Sequence, residues 1–347
     1  MIAYLNEIMR HCAELICEHI HDGEPDDELL AVMRSFNYSN AADNDYHYDN
    51  KLHDAYYFIR YGYAYSFEYS TIYGIILNDY EPDSNNKFGV MTLGCGSCID
   101  AWSLAYANSQ LPERNQLKLR YMGNDLNVWE IRMKPEEGNV MRTAYPYDLS
   151  MLFPENDDDG YKADICVFLQ NEDGQRKVKY RYNMVMFSKI LNELPDDKLD
   201  NLLDIIEHNA DEFVSDRIHY ICISHSINAY KTNDRMKTIA QEIINRINHD
   251  DRFDVVDDLP EDWEPGQNVR LNDISDEGHL ACFDFVPDAY IYTLNEDFNP
   301  VSEVTSIYDF VSRYSREHED EGIHLCVRKT STSLFQIIKL VPRQEEN

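Results

Sequence analysis

Leu93-Gly94-Cys95-Gly96-Ser97-Cys98 gathers glycines, a hydroxyl and two thiols directly after the apolar run Phe88-Gly89-Val90-Met91-Thr92-Leu93. Three chemistries are open to such a segment. A strand that feeds a glycine turn and then a helix brings backbone N–H groups close to a bound nucleotide. A Cys-x-x-Cys pair at a helix start has the thiol acidity that suits disulfide exchange. Cys95 or Cys98 with His225 or His249 far downstream would suit a cysteine nucleophile and its base. Only the first chemistry predicts a further residue: an acid at the end of the next strand, placed to accept hydrogen bonds from ribose hydroxyls. Leu117 to Met122 reads as that strand, and it ends in Gly123-Asn124-Asp125-Leu126. The thiol chemistries find no such company. The pair sits inside a long alternating chain, and apolar Ile99 follows it.

The elements around these residues follow from periodicity. Ile2, Leu5, Met9, Cys12, Ile16 and Ile20 form one apolar helical stripe, and a second helix follows Gly23-Glu24-Pro25 and runs to about Phe36. Leu52 to Leu77 is a long helix dense in tyrosine, closed by the turn-rich segment Asn78 to Asn86. Residues 1–85 therefore read as an N-terminal helical cap, and residues 86–347 as an α/β domain. In that domain the helix Ile99–Asn108 follows the glycine turn. Strands are expected near Ala144–Tyr147, at Tyr182–Phe187 and at Ile218–Ser224, with helices at Pro195–Ile206 and from about Asn233. Alternation of this kind predicts a mostly parallel sheet with crossover helices. Ile323–Val327 and Leu334–Val341, joined through Lys329–Ser333, read as a closing antiparallel hairpin. Residues 154–181, with a hairpin turning at Glu172-Asp173-Gly174, and residues 250–320 read as insertions.

On these residues the chain resembles the class I S-adenosylmethionine-dependent methyltransferases. Leu93 to Cys98 resembles their first motif, Gly123 to Leu126 their second, Phe187 to Leu194 their fourth-strand segment, and the final hairpin their sixth and seventh strands. The resemblance implies a Rossmann-like class I methyltransferase sheet, mostly parallel with an antiparallel C-terminal hairpin, beneath the helical cap. It also implies S-adenosylmethionine as cofactor. Leu93, Gly94 and Gly96 would pack on its methionine part, Asp125 would hold the ribose, and Leu126, Asp148 and Leu149 would meet the adenine. Phe187 and Ser188 would lie beside the reactive methyl. On the tyrosine-dense helix, Arg60 would pair the methionine carboxylate, and Tyr61 and Tyr65 would wall the acceptor pocket. Cys98 departs from the pattern, standing where a third glycine is common. A nicotinamide-binding Rossmann domain would also explain loop and acid; the closing hairpin favours the methyltransferase.

Composition bounds the partners. With 31 basic against 64 acidic side chains the formal charge is −33, which repels a phosphate backbone and disfavours nucleic acid. The acceptor is therefore expected to be a protein or a small molecule, and the acidic surface would suit a basic protein partner. Two alternatives stay open: a catalytically inactive member acting as a binding module, and an RNA methyltransferase using the basic cluster Arg176 to Arg181. Methyl transfer needs alignment more than a catalytic base, and no residue pattern identifies one. No apolar run is long enough to span a bilayer, no secretory signal precedes Glu7, and cysteines such as Cys166 and Cys222 read as reduced thiols. A cytoplasmic protein is expected. His19, His21 and Asp22, the Tyr46–Asp54 segment and the Asp273–Asp284 segment match no known ligand spacing, so no metal is assigned.

Overall fold

The structure, a computed structural model, describes residues 1–36, 50–82, 84–125, 127–133, 140–144, 168–170, 176–178, 182–191, 194, 196–208, 220–226, 234–248, 253–256, 259, 269–272, 279–283, 300–318 and 331–343. The helices are α1 Ile2–Cys17, α2 Asp27–Ser35, α3 Lys51–Asp79, α4 Ile99–Gln110, α5 Asp196–His208, α6 Asp234–Ile247 and α7 Ser302–Glu317. The short pair β1 (Ile20–His21) and β2 (Glu24–Pro25) links the first two helices. The strands that follow are β3 Lys87–Leu93, β4 Lys118–Asn124, β5 Val140–Ala144, β6 Phe168–Gln170, β7 Arg176–Val178, β8 Met184–Ser188 and β9 Tyr220–Ser226. The last four are β10 Phe253–Val256, β11 Val269–Asn272, β12 His279–Phe283 and β13 Ser331–Pro342.

Among the described residues the main sheet runs β11-β12-β13-β9-β8-β3-β4-β5, with β10 also pairing β13. Strands β5, β4, β3, β8 and β9 are mutually parallel. Numbered by their order along the chain they read 3-2-1-4-5, the doubly wound arrangement whose switch point lies between β3 and β8. β13 then adds antiparallel to β9 and to β12, which closes the sheet in the manner the resemblance implied.

Two details differ from the expectation. β13 begins at Ser331, so Ser331, Thr332 and Ser333 are strand rather than turn. Its antiparallel neighbours are β12, against residues 331–335, and β10, against residues 339–342. These strands come from the 250–320 stretch read as an insertion, while Ile323–Val327 lies outside the described residues. The third parallel strand sits at Val140–Ala144, earlier than the expected Ala144–Tyr147. The expected hairpin about Glu172–Gly174 is present as β6 and β7, with Phe168 opposite Val178.

Two apolar cores flank the sheet. Beneath α5 and α6, Leu199, Leu202, Leu203, Ile239 and Ile243 pack on Val185, Phe187, Ile221 and Ile223. On the other face lies α3, buried on nearly every side and packed against α1, α2 and α4. Tyr56, Phe58, Tyr61, Tyr63 and Tyr73 bury their rings there beside Phe88, Trp102 and Met184. Each such ring contributes about 1.5–3 kcal/mol of burial. The cap therefore merges with the sheet core through α3. Asn50 starts this helix by accepting a hydrogen bond from Leu52 N–H at 2.7 Å, as Asp26 does for α2 from Leu29 N–H at 2.9 Å. His19 is taken up by the same Asp26, with Nδ1 and Oδ2 2.8 Å apart.

Candidate cofactor and acceptor site

The C-terminal ends of β3, β4, β8 and β9 lie along one edge, where ligands bind in doubly wound sheets. At the end of β3 the chain turns through Gly94 (φ +70°), Gly96 (φ +49°) and Cys98 (φ +59°) into α4. Gly94 is required twice over. Its backbone is left-handed, and a Cβ there would stand 2.7 Å from Ile190 Cβ. Cys98 also holds a left-handed conformation, which explains why glycine is common at its position. Its side chain is buried, with Sγ 3.9 Å from that of Cys95.

The turn is tied to the end of β4. Gly94 and Cys95 N–H both donate to the Asn124 carbonyl, at 2.9 and 3.1 Å. Asp125 completes the clasp: Oδ2 accepts from Gly96 N–H at 2.8 Å, and Oδ1 from Asn127 N–H at 2.9 Å. Burial raises the Asp125 pKa, while these two N–H donors and the Trp129 indole pull it down. The acid at the second strand end and the glycine turn, inferred separately, thus meet in space.

Helix α3 walls this edge. Tyr57, Tyr61, Tyr65 and Tyr69, four residues apart, form a ladder with neighbouring centroids at 4.9, 4.8 and 5.8 Å. Trp129 extends it, 4.9 Å from Tyr57, and lies within 3.5 Å of where a Gly96 Cβ would sit. The loop carrying Trp129 is held by buried Asp54, whose Oδ2 accepts from Glu130 and Ile131 N–H at 2.8 and 3.1 Å. At the far end, Ser188 Oγ donates to Tyr69 OH at 2.7 Å.

Of the residues singled out in sequence, Gly94, Gly96 and Asp125 are brought together, as are Tyr61, Tyr65 and Ser188 along the ladder. Leu93 and Phe187 are neighbours in register, but their side chains are buried in the core under α5 and α6. Only their backbone belongs to the edge. The Arg60 guanidinium lies 5.8 Å from the Phe36 ring and 5.3 Å from Tyr61, against the cap aromatics. Leu126, Asp148 and Leu149 lie outside the described residues.

Sequence reasoning passed over Glu68 and Lys189. Glu68 is fully buried and Lys189 follows Ser188 with φ +58°, and Lys189 Nζ donates to Glu68 Oε1 at 2.7 Å. The available signal was Glu68 itself, a carboxylate on the aromatic stripe of α3. Among the described residues no group of three or more His, Cys, Asp or Glu stands close enough to hold a metal ion. No described helix is long and apolar enough to cross a membrane, and the described cysteines 12, 17, 95, 98 and 222 form no disulfide.

No family model matches this chain, and no curated protein matches it. Among solved structures it is similar to the plantazolicin methyltransferase BpumL in complex with S-adenosylhomocysteine, at 10% identity over 89% of this chain and 96% of that one, TM-score 0.35. It is similar also to magnesium protoporphyrin IX methyltransferase (ChlM) from Synechocystis PCC 6803 with bound S-adenosylhomocysteine, at 13% identity over 73% and 96%, TM-score 0.31. A third is a cyclopropane-fatty-acyl-phospholipid synthase-like protein from Lactobacillus casei ATCC 334, at 10% identity over 79% and 92%, TM-score 0.33. Likenesses of this size add nothing to the strand order. Together, that order, the glycine turn and the acid that clasps it make this chain a doubly wound, Rossmann-like α/β protein whose parallel strands are extended by an antiparallel edge.

Proposed function

We propose that this chain binds S-adenosylmethionine at the ends of β3 and β4 and transfers its methyl group to a small-molecule or protein acceptor lying against α3, in the cytosol. The observation that carries this reading is the hydrogen bond from Gly96 N–H to Asp125, which joins a left-handed glycine turn to a carboxylate at the second strand end. The donor set suits the cofactor. An ionised carboxylate has about four acceptor positions, so Asp125 keeps capacity for ribose hydroxyls beyond its two backbone partners. Leu126, Asp148 and Leu149 would complete the adenine side.

When bound, the cofactor supplies a methyl group on a sulfonium, open to displacement by a nucleophile. This chain's own part is alignment and exclusion of water. Tyr61, Tyr65 and Tyr69 would form the buried aromatic wall of the site. Glycine at 94 and 96 lets the turn approach the ligand, and the Asp54 bonds hold the Trp129 loop beside it.

Calorimetry with S-adenosylmethionine and S-adenosylhomocysteine tests the reading. Saturable binding of both is expected, with Asp125→Ala weakening it by about tenfold or more, the worth of roughly one charge-assisted hydrogen bond. A folded protein that binds neither at millimolar concentration would sink the proposal.

A further inference from the structure

Lys189 stands at the end of the central strand β8 in a cluster that neither fold nor cofactor binding explains. Its Nζ donates to Glu68 Oε1 at 2.7 Å, Ser333 Oγ at 2.6 Å and Ser224 Oγ at 3.3 Å, and lies 4.8 Å from the Tyr65 centroid and 5.8 Å from that of Tyr69. Four elements supply these groups: α3, β9, β13 and the end of β8. Stability is a poor reason for the cluster, since well-packed apolar side chains generally serve a core as well as a buried ion pair does. The left-handed backbone at Lys189 adds a conformational cost of its own.

The pair is also asymmetric. The Lys189 side chain is 12% exposed and that of Glu68 0%, so lysine is the member of the pair nearer solvent. A fixed positive charge opposes methylation of an amine, which builds positive charge on nitrogen, and favours an oxygen nucleophile in its ionised form. Tyr65 and Tyr69 adjoin the ammonium with their rings tilted 51° to one another, and edge contacts of that kind suit a flat ring. The formal charge of −33 weighs against an acceptor that arrives as an anion, but not against one that arrives neutral and ionises in place.

We infer that the acceptor is an aromatic hydroxyl compound, held against Tyr65 and Tyr69 and ionised beside Lys189. This rests on the methyl-transfer reading above. The hydroxyl proton leaves to solvent as the acceptor settles. An oxygen lone pair then forms the new O–C bond, the C–S bond breaks with its electron pair going to sulfur, and an aryl methyl ether and a neutral thioether result. Lys189 keeps its proton throughout. Its third hydrogen bond, the long one to Ser224, is the one the acceptor oxygen replaces; Ser224 retains its bond to Glu68 Oε1 at 3.1 Å.

4-Nitrophenol provides the test, because its ionised form is coloured. Added to the protein loaded with S-adenosylhomocysteine, it should bind saturably with its ionisation shifted about one pH unit or more to the acid side. Lys189→Gln should abolish the shift and Lys189→Arg should keep most of it, with circular dichroism confirming that both variants fold. Benzylamine should not compete. Absence of saturable nitrophenol binding, an unshifted ionisation in the wild type, a shift that survives Lys189→Gln, or displacement by benzylamine would each overturn the inference. Should Lys189→Gln fail to fold, Lys189→Arg and the wild-type shift still decide it. Loading is read separately by calorimetry, so a protein that binds no S-adenosylhomocysteine counts against the methyl-transfer reading, and one that binds it but leaves nitrophenol untouched counts against this inference alone.

Discussion

Gly94 carries two constraints that substitution can separate. Gly94→Ala meets both the left-handed backbone and the Ile190 side chain 2.7 Å away. It should lower stability by more than the ~1–2 kcal/mol that conformation alone costs an L-residue. Adding Ile190→Gly, which removes the Cβ that the new methyl would strike, relieves the collision and leaves the backbone cost. The double variant should therefore bind S-adenosylhomocysteine better than Gly94→Ala alone, although it loses core packing. Equal loss of binding in both would show that the ligand, not Ile190, needs the space. The turn's glycines were legible in sequence because no other residue type takes that backbone cheaply. Cys98 was not: it adopts the glycine conformation without being glycine, and only φ reveals it. Lys189 was hidden for another reason, since its carboxylate partner Glu68 is 121 positions away.

At the scale of elements, α3 does three jobs along one length. Its first turn holds the Trp129 loop through Asp54, its middle presents the tyrosine ladder, and Glu68 anchors Lys189 from the same helix. Asp54→Ala would leave two backbone N–H groups without their acceptor, at a cost of about 1–3 kcal/mol. Denaturant titration should show that loss, and S-adenosylhomocysteine affinity should fall with it because Trp129 adjoins Asp125. Asp54→Asn, which keeps an acceptor, should be milder; equal effects of the two would show that charge rather than the hydrogen bonds matters. Long elements were legible. The amphipathic stripe of α1 and the apolar runs of β3, β8 and β9 follow a single period. β10, β11 and β12 escaped notice because their runs, Phe253–Val256, Val269–Asn272 and His279–Phe283, lie scattered through an acidic and proline-containing stretch. What makes β10 and β12 strands is pairing with β13, a tertiary fact.

Two buried titrating groups shape how the whole molecule responds to pH. Burial pushes the Asp100 carboxyl up to about 6, even though Thr92 and Tyr121 hydroxyls donate to it. The folded protein holds that proton more tightly than the unfolded chain, so this group's stability contribution falls as pH rises from about 4 to about 6. Burial, together with the Lys189 charge, lowers His225 to about 4. There the unfolded chain holds the proton more tightly, so stability rises as pH climbs from about 4 to about 6.5. Each displacement corresponds to about 3 kcal/mol, and the two largely cancel. Asp100→Asn should unmask the histidine, giving a stability that increases with pH across this window relative to wild type; His225→Gln should tilt the profile the opposite way. Parallel profiles for wild type and Asp100→Asn in denaturant titrations would refute the assignment. Rings spaced at 4.8–5.8 Å from Tyr69 to Tyr57, ending 4.9 Å from Trp129, pass excitation readily along the row. Indole is the lowest-energy chromophore of the series, so light absorbed by those tyrosines emerges as emission from the tryptophan beside Asp125. The protein carries its own unlabelled reporter at the place where its ligand is expected to bind.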